Sequence, residues 1–182
     1  MELLKKKSVA LLIMAIVMVV TTLVQGRNDM IQAVKKTENL FLIDEGDGFS
    51  IQSRLESKME FANELANKFA IRFVKTEEET IIIVNNAIEY LRDCDSIEKK
   101  YEANQKLDQA CHQLIGLLEK EKMSEDEQRE LRRFYTNLQN CQDQISHSFY
   151  NEQALKAQDE LSGFPASLIQ GLFYVEMPQL FQ

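Results

Sequence analysis

The side chains that could do chemistry in this chain are few and scattered. Cys94, Cys111 and Cys141 are an odd number of thiols with no Cys-x-x-Cys spacing. If the helices carrying Cys111 and Cys141 pair about a turn near residue 123 or 124, Cys111 faces roughly residue 136. Cys141 then lies about 7 Å too far along the axis for a disulfide, and all three cysteines are expected to be core thiols. His112 and His147 have no matched Asp or Glu at i+3 or i+4 on one inward face, which argues against a zinc or di-iron centre. Asp44-Glu45-Gly46-Asp47-Gly48 is too short in register for a calcium loop and lacks a closing bidentate Glu, so it reads as a turn between helices. Arg129, Arg132 and Arg133 sit among Glu125, Glu127 and Glu130, the pattern of a solvated, salt-bridged face. Gly-x-Ser-x-Gly and P-loop motifs are missing. The alternative to a non-catalytic protein is an enzyme using an unrecognised polar cluster, such as His147, Tyr150 and Asn151. A plainer role for Tyr150 and Asn151 is to pack and cap a helix end near Phe164-Pro165. No catalytic, cofactor-binding or metal-binding residue is assigned, and no cofactor is expected.

The elements that would position these residues are helices. Six Gly and two Pro in 182 residues leave few obligatory breaks, and both prolines, Pro165 and Pro178, fall in the tail. The net charge of −8 disfavours phosphate backbones, so nucleic acid is not an expected partner. Lys5, Lys6 and Lys7 precede an uncharged run from Ser8 to Gln25, which as a helix reaches about 27 Å, enough for the hydrocarbon core of a bilayer. This run reads as a signal anchor. A cleaved signal peptide is the alternative, with Val24-Gln25-Gly26 as its cleavage triplet. The lysines before the run, with the α-amine, place the N-terminus in the cytoplasm and the rest outside, although Arg27, Lys35 and Lys36 follow on the other side.

Beyond residue 26, apolar residues recur at helical spacing. Met30, Ile31, Val34, Leu40 and Phe41 mark one helix. Ser50 caps a second, with Ile51, Leu55, Met59, Ala62, Leu65, Phe69 and Phe73 on one face. Thr76 and Glu79 form a capping box ahead of Ile81, Val84, Ile88 and Leu91. The β-branched run Ile81–Val84 would suit a strand, but it lacks a partner and continues the helical period. Ser96 opens a helix bearing Ile97, Tyr101, Leu107, Cys111, Leu114 and Leu118. Ser124 and Glu127 make a second capping box, which begins the longest helix, with Leu131, Phe134, Leu138, Cys141, Ile145, Phe149 and Leu161 on one face. Short connections imply antiparallel neighbours. The fold class is therefore all-α: an N-terminal transmembrane helix (1–26, with its lysine stretch), then an antiparallel four-helix-type bundle (27–182) with an apolar tail from 164. Pro165 cannot continue a helix, so the chain turns at Phe164. The tail beyond is too apolar for water. It either packs on the bundle, burying Phe164, or lies against the membrane.

The C-terminal segment carries a family resemblance. Tyr150-Asn151, Leu161, Phe164-Pro165, Leu168-Ile169, Phe173 and Phe181, together with the hydrophobic N-terminus and long amphipathic helices, resemble the LemA family of bacterial membrane-anchored helical proteins. Glu77, Thr80, Ile81, Val84 and Ala87 resemble that family's His-Glu-x-x-Thr-Leu-x-x-Val-x-x-Ala-Arg stretch, with Thr76 in place of the His and Ile88 in place of the Arg. Ala157-Gln158 stand where a second Tyr-Asn is usual, and Phe61-Ala62-Asn63-Glu64-Leu65 stands where Leu-Ile-Pro-Asn-Leu-Val is usual. The resemblance implies a divergent member: a single-pass cell-membrane protein with an extracytoplasmic helical domain, acting as a non-catalytic interaction or scaffold module. Its implied partners are the lipid bilayer and either another protein or a second copy of itself.

Overall fold

The computed structural model describes residues 7–43, 50–70 and 78–182. The described residues form seven helices and no strand: α1 Lys7–Leu42, α2 Ile51–Ala70, α3 Glu78–Arg92, α4 Ile97–Leu118, α5 Glu125–Ser146, α6 Tyr150–Ser162 and α7 Ala166–Phe173. The all-α expectation holds, and Ile81–Val84 is helical. Lys5, Lys6, the Asp44–Gly48 turn, Phe73 and Thr76 of the first capping box lie outside the described residues.

The chain forms two compact units. The first contains the described part of α1 up to Glu38 together with residues 153–178. Nothing between Gln25 and Asp29 breaks a helix, so the uncharged run and the amphipathic stretch after it form one 36-residue helix. That helix is long and apolar enough to cross a membrane, and none of its most apolar window is buried within the protein. A packed seam starts at Leu23 and continues through Gly26, Met30 and Val34, at helical spacing. Met30 and Val34 form a small core with Leu161, Ile169 and Val175, and Ala166 and Phe173 pack at its edge. Gly26 lets Ile169 approach closely: a Cβ there would sit 2.5 Å from Ile169 Cδ1, so the end of that side chain would have to move aside. The chain turns at a cis Phe164–Pro165 bond, and α7 ends at Tyr174 in the left-handed region (φ 51°), the usual geometry of a helix C-terminus though rarely of a tyrosine. The Gln158 amide donates to Pro178 O at 2.7 Å within the same unit.

The second unit, 39–152 with 179–182, is a four-helix bundle. Helix α2 packs against α3 and α5, and α3 packs against α4. Helices α4 and α5 meet through side chains, His112 with Tyr135 and Gln139. Lys68 reaches Glu130 while Lys58 reaches Gln142, so α2 and α5 run antiparallel. Lys100 reaches Gln52 while Lys58 reaches Asn104, so α2 and α4, on the diagonal, run parallel. This is the up-down-up-down arrangement that short connections dictate. Ser50 Oγ accepts from Ser53 N, and Ser96 Oγ accepts from Lys99 N. Ser124 and Glu127 satisfy each other's backbone N–H in a complete capping box.

The long fifth helix is interrupted. Helix α5 stops at Ser146, and Ser148 Oγ accepts from Tyr150 N to start α6. Serine competes well for backbone donors at such a point, and the break turns Phe149 outward rather than into the core. Phe164 is likewise not a buried anchor: it is 84 % exposed, because the packing side of this segment is presented by Ala166, Ile169 and Phe173.

Candidate functional site

The bundle's interior holds a charged group that periodicity alone does not announce. Lys58 lies among Leu55, Ala62 and Leu65 on the buried face of α2, and its side chain is 0 % exposed. The spacing of three and four residues from Leu55 and to Ala62 puts it on the seam where Met59 was expected. A buried ammonium must have its three N–H groups answered. Asn104 Oδ1 and Gln142 Oε1 accept at 2.7 Å each, and Asp108 Oδ1 accepts at 2.6 Å. Asn104 Nδ2 donates on to Gln142 Oε1 at 3.1 Å, joining α2, α4 and α5 in one polar network. Burial pushes the Lys58 ammonium below its ordinary pKa, and the Asp108 carboxylate beside it works in the opposite direction.

The thiols line the same interior. Cys111 and Cys141 are free and buried, as is Cys94. Burial raises the Cys111 thiol to about 12, against partial relief from Lys58, and raises Cys141 and Cys94 as well. A thiol held protonated is a poor nucleophile, so these cysteines behave as small apolar core residues. The clefts on the bundle surface, at the α4–α5 turn around Ile115, Met123 and Tyr135 and between α2 and α3 around Leu55, Met59 and Leu91, are not lined by Lys58.

The structure separates the cluster His147, Tyr150 and Asn151. His147 Nδ1 lies 2.7 Å from Asp143 O on its own helix. Tyr150 and Asn151 hold the last residues of the chain. Tyr150 Oη donates to Gln179 O at 2.6 Å, Asn151 Nδ2 donates to Phe181 O at 2.7 Å, and Phe181 N donates back to Asn151 Oδ1 at 2.8 Å. Gln179 Oε1 accepts from Ile97 N, the first residue of α4. Phe181 is thereby set against Phe41 and Tyr101, and Phe41 stands edge-on to Tyr150. A side-chain amide that pairs with both the N–H and C=O of one residue does the work of a strand partner, and it fixes the chain end where the aromatic cluster can bury it.

His112 is engaged with Asp108 O and Gln139, away from His147. Among the described residues no three of His, Cys, Asp and Glu converge as a metal site would require. Arg129 pairs with Asp126 on the exposed face of α5, as the charge pattern suggests. No family model, curated protein or solved structure matches this chain.

Proposed function

We propose that this protein is a divergent LemA-like membrane protein, anchored by α1, whose helical bundle acts as a non-catalytic interaction or scaffold module. The observation that carries the reading is α1: an uncharged stretch of membrane-spanning length with no residue of its most apolar window buried within the protein. Every such side chain left in water forfeits burial, about 1.5–3 kcal/mol for a Val, Leu, Ile or Met, and lipid removes that cost. The residues behind the resemblance, Tyr150, Asn151 and Phe181, together with Gln158, are those that fasten the tail, which supports a common way of closing the fold. The polar chemistry inside the bundle is satisfied internally, which favours surface recognition over turnover. The lysines at the start favour an N-terminus in the cytoplasm, with the bundle outside a bacterial cell membrane.

Lysine-reactive crosslinking of the full chain in its native membrane, followed by mass spectrometry, tests the scaffold reading. Discrete links from bundle lysines to one partner protein, or to a second copy, are expected. Links confined to the chain itself contradict it.

A further inference from the structure

Helix α7 and the turn before it are apolar on the side that faces away from their own core. Ala166, Ile169 and Phe173 pack inward, whereas Phe164, Leu168 and Leu172, at helical spacing, are exposed, as is Tyr174. No charged residue occurs from Leu161 to Val175, between Glu160 and Glu176. Such a face costs free energy in water and calls for a cover.

Its position within the first unit indicates that cover. Ile169 sits on Gly26, one residue past Gln25, where the uncharged run of α1 ends. The Arg27 guanidinium stands 5.9 Å from the centre of the Phe173 ring. A helix fixed at that level of a spanning helix lies where hydrocarbon gives way to headgroups. An arginine at the same level has its charge among lipid phosphates and its stem along apolar surface.

We infer that α7, with Phe164 and Tyr174, is a membrane-interfacial element: it lies in the headgroup–acyl boundary of the bilayer that α1 crosses, with Phe164, Leu168 and Leu172 immersed in lipid. The inference rests on the anchoring of α1 proposed above. Shallow immersion of this kind buries an apolar helix face roughly 5–10 Å into the boundary layer. Helix α7 then holds α1 at a set depth through the Gly26–Ile169 contact.

The chain contains no tryptophan, so single placements report cleanly. Leu168→Trp and Leu172→Trp, each in the full chain, are reconstituted in phosphatidylcholine–phosphatidylglycerol vesicles whose acyl chains are brominated either near the headgroup or near the bilayer centre. Tyr135→Trp on α5 is the bundle control. Both α7 tryptophans are expected to shift their emission to the blue and to lose most of it to the shallow bromines, less to the deep ones, while the α5 tryptophan is unaffected. Two placements keep the test intact if one variant does not fold. Unshifted, unquenched emission from a chain that floats with the vesicles leaves the anchor standing and overturns the inference, because the face is then in water. Blue-shifted but unquenched emission overturns it in favour of a second copy or another protein as the cover. A chain that does not float with vesicles overturns the anchor and this inference together.

Discussion

A lysine with no solvent contact is tolerable only while its neighbours answer its charge, so the interior of the bundle is specified by Asn104, Asp108 and Gln142 as much as by leucines. Lys58→Met fits the space but removes the donor that Asn104 Oδ1 depends on. Gln142 keeps Asn104 Nδ2, and Asp108, at 25 % exposure, can be hydrated. The variant is expected to lose about 3 kcal/mol in urea unfolding. A variant as stable as the parent would mean that the network contributes nothing net. Cys111 gives a pH dependence of definite sign. In the unfolded chain its thiol ionises near 9, whereas in the folded protein it stays protonated to about 12. Between those values the folded state binds the extra proton, so the thiol's contribution falls as pH rises. The stability difference between the parent and Cys111→Ala should therefore shrink above pH 9, with a limiting slope of about 1.4 kcal/mol per pH unit. A flat difference would place the thiol in contact with water. Lys58 itself was not legible in the sequence. A lone lysine among apolar residues is ordinarily a surface group, and its acceptors lie 46 and 84 positions away on other helices.

Most of the elements were legible, because their signals are local. Serine caps at Ser50, Ser96 and Ser124 and apolar spacing on α2 through α5 required no knowledge of the tertiary fold. The exceptions were decided by packing or by weak signals. The break after Ser146 has neither Gly nor Pro, only Ser148 capturing Tyr150 N. Phe164 looked like an anchor by type, but it is Ala166, Ile169 and Phe173 that pack inward in this segment. The tail's attachment was half legible: Tyr150 and Asn151 stood out, but their partners are backbone groups of Gln179 and Phe181, which leave no residue-type signature. Asn151→Ala leaves both polar groups of Phe181 without that partner and should cost about 1–3 kcal/mol. It should also expose 179–182 to proteolysis, read by mass spectrometry. Resistance equal to the parent's would show that the Phe41, Tyr101 and Phe181 rings hold the end without the amide.

At the scale of the whole molecule, two kinds of surface coexist in one chain. The bundle is closed by its own apolar seams and a satisfied polar network, whereas α1 presents bare hydrocarbon over a membrane-spanning length. Retention of the segment is checked by recovering its peptide from the membrane-extracted protein. A mature chain beginning at Arg27 and free in solution would mean that it is a cleaved leader. The central claim is that α1 spans lipid, and flotation of the full chain with phosphatidylcholine–phosphatidylglycerol vesicles, followed by an alkaline carbonate wash, tests it most directly. The parent chain should float and stay with the vesicles through the wash. The variant Val17→Asp/Val20→Asp, altered only at exposed positions of α1, should remain helical but fail to insert, since each central charge costs about 3 kcal/mol. A parent chain that stays at the bottom of the gradient, or a variant that floats as well as the parent, would contradict the claim.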